Sequence, residues 1–247
     1  MRTIVCRDAA ELGERTASLI QDQIRQKKNA VLCLPTGSTP IPVYQALIGQ
    51  VSRYNLDTSQ VECFNLDEYV GLPENHPQRY ESFLSENILD PLLIAPEHRH
   101  LLDSTALDLR AECDRYNALI DHYGGFDLLM DGLGENGHVA FNEPSQQFEA
   151  RTHVSDIALS TRLANARFFD HLDDVPQQAL TIGFADILKA RTMIVIASGP
   201  KKAEAIERFY TETLITPAFP LSFLRMHPNL IMVVDEAACG SVIDRIR

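Results

Sequence analysis

Short apolar runs alternate along this chain with segments in which apolar residues recur at helical spacing. The runs are AVLCL (30–34), VECFNLD (61–67), FDLLM (126–130), TMIVIA (192–197) and NLIMVV (229–234). Short, nearly continuous apolar runs indicate strands that are buried on both faces, and such strands alternate with helices in parallel sheets. We therefore predict an open α/β fold over residues 1–247: a mostly parallel sheet with helices on both faces, in a single domain.

The composition argues against several kinds of partner. The formal net charge of the 247 residues is -12, which is unfavourable for a surface that binds nucleic acid or an anionic membrane. The first residues, MRTIVCRDAAELGERT, lack the apolar region of a signal peptide, and no apolar run is long enough to span a bilayer, so we expect a cytoplasmic protein. The five cysteines form no C-x-x-C pair. We expect them to be reduced thiols in the core, and we expect no metal site.

Polar clusters follow four of the predicted strands. PTGSTP follows residues 30–34, DEY follows 61–66, DGLGENGH follows 126–130, and SGPKK follows 192–197. Open α/β sheets bind ligands in the crevice outside the carboxyl ends of their strands. Because the carboxyl ends of parallel strands meet at one edge, we predict that these four clusters form the binding site.

The segment DGLGENGHVAFNEP (131–144) contains glycines in the spacing G-x-G-x-x-G. In a dinucleotide-binding turn the third glycine opens a long helix, whose N-terminus faces the pyrophosphate. Here Pro144 follows Gly137 so closely that hardly two helical turns fit between them. The spacing alone is a weak signal, and we reject the dinucleotide site. The segment instead predicts a glycine-rich loop that presents Asn136, His138 and Glu143 at the end of a strand.

The segment LPTGSTP predicts a phosphate site. Gly37, Ser38 and Thr39 stand directly before a predicted helix, with Thr39 as the expected N-cap and Pro40 in the first turn. Backbone N–H groups, hydroxyls and the helix dipole together can bind an anion, although simple N-capping explains the segment equally well. No G-x-x-x-x-G-K-[ST] pattern is present, which favours one phosphate over a nucleoside triphosphate. The candidate cations are Arg167 and Lys202, each of which alone is typical of a solvated surface residue.

Two further clusters carry candidate acid–base groups. Asp67 and Glu68 are adjacent at a strand end, and adjacent side chains of an extended segment point to opposite faces, so only one can enter the site. We favour Asp67, with Glu68 facing away to anchor a loop, because a carboxylate partly dehydrated in a cleft has its pKa raised toward a useful value. His138 lies five residues before Glu143, whose carboxylate can fix the tautomer of the imidazole.

In this order, the motifs resemble those of the glucosamine-6-phosphate deaminase (isomerase) family. LPTGSTP, FNLDEYVGLP, GENGHVAFNEP, LANARFF, ALTIG and SFLRMHPN carry the resemblance, which covers nearly the whole chain and indicates a short, bacterial-type member. The resemblance implies that a hexosamine 6-phosphate is converted to a ketose 6-phosphate and ammonia with neither metal nor cofactor. It also implies that the open α/β sheet is Rossmann-like. By position, Asp67 would move the proton between C2 and C1, and His138 would open the sugar ring, supported by Glu143 and Asn136. The phosphate would bind to Gly37, Ser38, Thr39, Arg167 and Lys202.

Other readings of the same resemblance differ in substrate or in class. The most similar rival family is that of the 6-phosphogluconolactonases, in which a different sequence follows the loop histidine, so VAFNEP favours the deaminase. A sugar-phosphate-sensing domain would need a DNA-binding partner domain, for which the first 30 residues show no pattern. A galactosamine-6-phosphate deaminase stays open, because one hydroxyl's orientation leaves no trace in the sequence. Many members have aspartate at the position of Asn136, where an amide can still accept from the imidazole N–H but cannot ionise.

The resemblance also bears on regulation and assembly. Longer, hexameric members of the family are activated by N-acetylglucosamine 6-phosphate, held partly by basic residues shortly after FNEP. Here FEARTHVSDIAL places His153 and Ser155 at those positions, and the chain ends at Arg247 without the C-terminal extension that completes the regulatory contacts. We therefore expect a monomer or small homo-oligomer without this activation, with a small sugar phosphate as its ligand.

Overall fold

A fully parallel sheet of seven strands is the centre of the computed structural model, which describes residues 1–246. Arg247, the last residue of the predicted domain, lies outside the described residues. Numbered in chain order, the strands lie across the sheet as β1 (Arg2–Cys6), β10 (Leu230–Asp235), β9 (Thr192–Ala197), β6 (Leu128–Gly132), β2 (Val31–Leu34), β3 (Glu62–Asn65) and β5 (Arg99–His100). Each pair of neighbours is parallel, which confirms the predicted open α/β fold.

Helices connect these strands. They are α1 (Ala9–Gln26), α2 (Ile41–Tyr54), α3 (Tyr80–Leu84), α4 (Leu109–Tyr123), α5 (Leu159–Asn165), α6 (Phe184–Lys189), α7 (Ala203–Thr211), α8 (Glu236–Cys239) and α9 (Ile243–Ile246). A π-helical turn continues α3, and 3₁₀ turns precede or follow several of the others. Within residues 1–246, no helix combines the length and the apolar character that crossing a membrane requires.

The sheet is covered on both faces. Alternate residues of β2 point to opposite sides: Leu32 and Leu34 pack in the core layer that contains α1 and α2, whereas Val31 and Cys33 pack in the layer that contains α4. This arrangement explains why the strands are apolar at successive positions rather than at every second one. All five cysteines are buried free thiols, as predicted.

The helix boundaries follow local signals. The carboxylate of Asp108 accepts hydrogen bonds from the N–H groups of Arg110 and Ala111 at 2.9 and 3.0 Å and so caps α4. The helix ends at Gly124, which has φ 73°. Only glycine adopts this left-handed conformation without strain, and Gly124 therefore ends the helix.

The prediction of one strand over residues 61–67 is wrong. The chain leaves the main sheet after Asn65 and enters a small antiparallel sheet as β4 (Asp67–Tyr69), paired with β8 (Gln178–Thr181), which also pairs with β7 (His153–Asp156). The change of partner occurs at Leu66, whose carbonyl accepts the N–H of Ile182 at 2.9 Å. Asp67 therefore lies at the junction of the two sheets, directly beyond the carboxyl end of β3.

The order of the strands brings the four polar clusters together. The clusters follow β9, β6, β2 and β3, and these four strands are consecutive neighbours in the sheet. The chain proceeds from β2 to β3 in one direction and to β6 in the other, so the crevice between β2 and β6 is a topological switch point. The prediction that the four strand ends share one edge is confirmed.

Candidate active site

The carboxyl edge of the main sheet opens into a cavity of about 760 Å³. Eight predicted site residues line it: Gly37, Ser38, Thr39, Asp67, Asn136, His138, Arg167 and Lys202. Glu143 does not line the cavity and lies behind His138, with its carboxylate 3.6 Å from the imidazole Nδ1. The sequence therefore identified side chains that the fold brings to one place, from segments up to 165 positions apart in the chain (Gly37 to Lys202).

One end of the cavity concentrates positive charge. The guanidinium of Arg167 donates to the hydroxyl of Ser38 at 3.4 Å. Burial lowers the pKa of Lys202; Glu135 opposes this effect, and the nearby charge of Arg167 adds to it. A partly buried ammonium beside a guanidinium is unfavourable until an anion binds between them, so this end of the cavity is suited to a phosphate.

The N-terminus of α2 faces the same end, but its capping differs from the prediction. Thr39 is not the N-cap: Pro40 occupies that position, and no side chain among the described residues caps the first turn. Capping by Thr39 would use the second or third helical N–H, and the third position counted from Thr39 is Pro42, which has none. The Thr39 side chain lines the cavity instead, and Gly37 turns the chain at φ 95°.

The two adjacent carboxylates face different ways, as predicted. Asp67 lines the cavity, whereas Glu68 does not. Glu68 is fully buried and accepts the N–H groups of Tyr69, Tyr80 and Glu81, each at 2.9 Å, so it anchors the segment that begins α3. Burial raises the pKa of Glu68 to about 7, against the opposing effect of these hydrogen bonds.

Asp67 is 9% exposed, and its carboxylate accepts no hydrogen bond from any described residue. Burial raises its pKa well above the ordinary value, and the charges of Asp131 and Glu68 raise it further. A carboxylate of this kind has the basicity that proton abstraction from carbon needs, once a cation in the cavity favours its ionised form.

The glycine-rich loop is shaped around the imidazole of His138. A Cβ on Gly134 would lie 2.4 Å from Cε1 and 2.5 Å from Nε2 of this ring, so the ring packs directly on the glycine backbone. Gly137 has φ 80°, and a Cβ there would meet the ring of Phe219 at 2.3 Å. Two glycines of the G-x-G-x-x-G spacing thus make room for a histidine and a phenylalanine. The spacing does not form a dinucleotide turn.

A short hydrogen-bonded network holds His138. Its Nδ1 lies 3.5 Å from the Thr161 hydroxyl and 3.6 Å from Oε2 of Glu143. Asn136 donates from Nδ2 to the same Glu143 oxygen at 2.8 Å, and its Oδ1 accepts the backbone N–H of His138 at 3.1 Å. Burial raises the pKa of Glu143, but the hydrogen bonds from His138, Thr161 and Asn136 outweigh it, and the net pKa lies below the ordinary value.

This network corrects the expectation for Asn136. Its amide oxygen accepts the backbone N–H of His138 and its nitrogen donates to Glu143, and neither atom is hydrogen-bonded to the imidazole. An ionised aspartate at this position could not supply the hydrogen bond that Asn136 donates to Glu143. Asn136 therefore supports the histidine through Glu143.

The sequence reasoning missed Asp131, a second carboxylate in the cavity. Asp131 is at the end of β6 and 7% exposed, and its Oδ2 accepts the N–H of Ala140 at 2.7 Å. Ala140 has φ 48°, a left-handed conformation that is uncommon outside glycine, and this hydrogen bond stabilises it. Burial raises the pKa of Asp131 to about 6. The sequence signal that could have identified Asp131 is its position directly after an apolar run, which places it at the carboxyl edge of the main sheet.

The cavity is covered by the segment that contains α5, which the sequence analysis also missed. Thr161 reaches His138, Asn165 donates to the Tyr69 hydroxyl at 2.8 Å, and Arg167 reaches Ser38. One short stretch thus contacts residues around the phosphate end, the imidazole and the wall beside Asp67. Its exposed Leu159 and Leu163 gave it no clear helical stripe in the sequence.

A family model, individual sequences and solved structures all show similarity between this chain and glucosamine-6-phosphate isomerases or deaminases. The family model described as glucosamine-6-phosphate isomerases/6-phosphogluconolactonase matches residues 7–232. A glucosamine-6-phosphate deaminase of Clostridioides difficile (strain 630) is 42% identical over 98% of this chain and 97% of its own. One of Rhodopirellula baltica is 44% identical over 96% of this chain and 94% of its own.

Two solved structures, one at higher and one at lower sequence identity, have a similar fold. A monomeric glucosamine-6-phosphate deaminase superposes with a TM-score of 0.94 at 36% identity, and the match covers 100% of each chain. A 6-phosphogluconolactonase from Trypanosoma cruzi superposes with a TM-score of 0.76 at 20% identity, over 98% of this chain and 97% of that one. The second likeness shows a shared fold alone.

Proposed function

Because the chain belongs to the family of glucosamine-6-phosphate isomerases and 6-phosphogluconolactonases, we propose that it converts glucosamine 6-phosphate and water to fructose 6-phosphate and ammonia. The observation that carries this assignment is the content of one cavity. A cationic phosphate cradle, a buried carboxylate without a hydrogen-bond donor and a histidine–glutamate pair line it or lie directly behind it. These are the groups that a sugar phosphate needs for ring opening and for proton transfer at carbon.

The phosphate group is the anchor. Ser38, Thr39 and the N–H groups around Gly37 hold its oxygens, and Arg167 and Lys202 balance its charge. Binding energy from this non-reacting group fixes C1 and C2 of the sugar against the acid–base groups.

His138 opens the sugar ring. It transfers a proton from the C1 hydroxyl to the ring oxygen, which releases the open-chain aldehyde without net gain or loss of protons. Nδ1 faces the Glu143 carboxylate at 3.6 Å, which leaves Nε2 to exchange the proton. Asn136 and Thr161 keep the Glu143 carboxylate in position for this role.

Asp67 carries out the isomerisation. It removes the proton from C2 while the ammonium on C2 passes a proton to the aldehyde oxygen, which gives an enaminol. Asp67 then returns its proton to C1, and the nitrogen at C2 becomes an iminium. Water adds to this iminium, and loss of ammonia leaves the ketone, so one water is consumed for each ammonia released. A general base typically contributes about 10²–10⁴-fold to the rate of such a step.

We further propose that the protein acts as a monomer or small homo-oligomer, in the cytoplasm, where phosphorylated sugars are retained by their charge. The monomeric state of a relative that matches over the whole chain supports the first part. Light scattering of the purified protein at several concentrations measures it directly.

The experiment that tests the proposed function is an ammonia-release assay on three substrates. Glucosamine 6-phosphate is expected to give ammonia and fructose 6-phosphate in equal amounts. A preference for galactosamine 6-phosphate would change the substrate but keep the chemistry. Hydrolysis of 6-phosphogluconolactone without ammonia release from either hexosamine would replace the proposal by a lactonase.

A further inference from the structure

Two buried carboxylates face the same cavity, and neither is paired with a cationic side chain among the described residues. Asp67 and Asp131 both line it, at 9% and 7% exposure, beyond the ends of strands that flank β2. Within residues 1–246 neither carboxylate forms an ion pair with a lysine or arginine. Two negative groups at this depth repel each other and are poorly solvated, as the influence of Asp131 on Asp67 indicates.

Other buried aspartates of the same chain have ion-pair partners or several hydrogen-bond donors. Asp127 pairs with Lys27 at 2.6 Å, and Asp186 pairs with Arg151 at 3.1 Å. Asp235 accepts hydrogen bonds from Ser198, Gly199 and Ala238. In the cavity, by contrast, Asp67 has no hydrogen-bond donor among the described residues, and Asp131 has the Ala140 N–H but no lysine or arginine. A buried charge left without a partner is costly, so this pair indicates that the missing cation comes with the ligand.

We propose that Asp131 binds the ammonium group at C2 of the substrate and makes the site selective for a 2-amino sugar phosphate over its 2-hydroxy counterpart. This inference rests on the proposed function and deepens it. Oδ2 of Asp131 is held by the Ala140 N–H, which fixes the carboxylate in the cavity wall. The same cavity thus contains a cationic phosphate cradle and a carboxylate, Asp131, near His138, and these charges complement a ligand that carries both an anion and a cation.

The same contact has a consequence for Asp67. In the empty cavity the charge of Asp131 favours the protonated form of Asp67. An ammonium bound to Asp131 compensates this charge, which favours the ionised Asp67 that removes the C2 proton. Binding of the amine therefore releases a proton from Asp67, whereas binding of a hydroxyl analogue leaves Asp67 protonated. The other titratable groups near this pair are Glu68, whose charge also raises the pKa of Asp67, and His138, whose charge lowers the pKa of Asp131.

The test compares two ligands that cannot react because they lack the aldehyde: 2-amino-2-deoxyglucitol 6-phosphate and glucitol 6-phosphate. Isothermal titration at pH 7 measures their dissociation constants. A charge-assisted contact predicts that the wild type binds the amine about 10- to 100-fold more tightly. In Asp131→Asn this ratio is expected to fall to within about threefold, with the affinity for glucitol 6-phosphate nearly unchanged.

Glu135→Gln is the matched control. Glu135 is an exposed carboxylate of the same cavity, 3.9 Å from Lys201 at the phosphate end, so its loss changes the charge equally and should affect both ligands alike. An unchanged ratio in Asp131→Asn would overturn the proposal, and so would an equal loss of affinity for both ligands, which would assign Asp131 to the loop alone.

A second measurement on the wild type does not depend on how the variant folds. Titrations in two buffers of different ionisation enthalpy count the protons released on binding. Protons exchanged by the phosphate and by Lys202 are common to both ligands, so we expect the amine to release up to about one proton more than glucitol 6-phosphate. Equal proton release for the two ligands would contradict the proposal. Both measurements are independent of turnover, so a protein that prefers the amine but releases no ammonia would refute the proposed function and leave this inference standing.

Discussion

Gly134→Ala is expected to displace the His138 imidazole while leaving the stability of the fold nearly unchanged. The new Cβ would lie 2.4 to 2.6 Å from three atoms of the ring, whereas ordinary contact begins at 3.4 Å, so the ring must move by about 1 Å. The ring is at the end of a side chain that borders an open cavity and can move without disturbing the core. We therefore expect a loss of stability within about 1 kcal/mol.

The displacement of the His138 ring is expected to reduce catalysis rather than stability. His138 lies 3.5 Å from Thr161 and 3.6 Å from Glu143, and a shift of this size breaks the alignment of both contacts. A misplacement of about 1 Å can cost on the order of 10²-fold in rate. Steady-state assays of ammonia release should show kcat reduced by about this factor, with affinity for inorganic phosphate unchanged.

Gly49→Ala is the control for the same substitution elsewhere. Gly49 is an exposed residue of α2, and a Cβ there meets no atom within 4 Å. This variant should be slightly more stable, by about 0.5–1 kcal/mol, and fully active. Full activity in Gly134→Ala would refute the role of the imidazole. Loss of activity accompanied by unfolding would refute the argument that the ring can move freely.

Four further predictions follow from named groups. Asp67→Asn should lower kcat by about 10²–10⁴-fold with KM nearly unchanged; steady-state kinetics that show raised KM and normal kcat would contradict this. Lys202→Ala should weaken inorganic phosphate binding about tenfold, and Arg167→Ala less because Arg167 is exposed, both measured by titration calorimetry. Burial raises the pKa of Glu68 from 4.5 to about 7, so its ionisation costs stability progressively from pH 4.5 to pH 7. Over this window, urea denaturation should show the free energy of unfolding of the wild type falling relative to that of Glu68→Gln, by up to about 3 kcal/mol. The initial rate should depend hyperbolically on substrate concentration both with and without N-acetylglucosamine 6-phosphate. A sigmoidal curve that this compound makes hyperbolic would contradict the prediction.

The parts of the fold that could be predicted are those that depend on the burial of whole strands. β2, β6, β9 and β10 are apolar at successive positions because both faces of the sheet are covered. The strands β4, β7 and β8 could not be found in this way. They are three or four residues long, and β7 alternates between exposed and partly buried positions. Their pairing is decided by the contact between β4 and β8, which are more than 100 residues apart.

The site residues that could be predicted from the sequence are those with a reactive or anion-binding residue type in a segment that follows a predicted strand. Asp67, His138 and Gly37 belong to the polar segments that follow apolar runs, and the segments around Gly37 and His138 also contain glycine turns. Asp131 also follows an apolar run, but its importance depends on the side-chain direction at the end of β6 and on its contact with Ala140, which no local pattern encodes. The hydrogen-bond partner of Asn136 was not predictable for a similar reason, because the choice between the imidazole and Glu143 is made by loop geometry.

The most direct test of the central claim is ammonia release from glucosamine 6-phosphate by the purified protein, with fructose 6-phosphate measured in the same reaction. The assay contains a chelator and no added metal or nucleotide. We predict equimolar ammonia and fructose 6-phosphate at an undiminished rate, and almost none of either in Asp67→Asn. Absence of ammonia, or release that the chelator abolishes, would contradict the account.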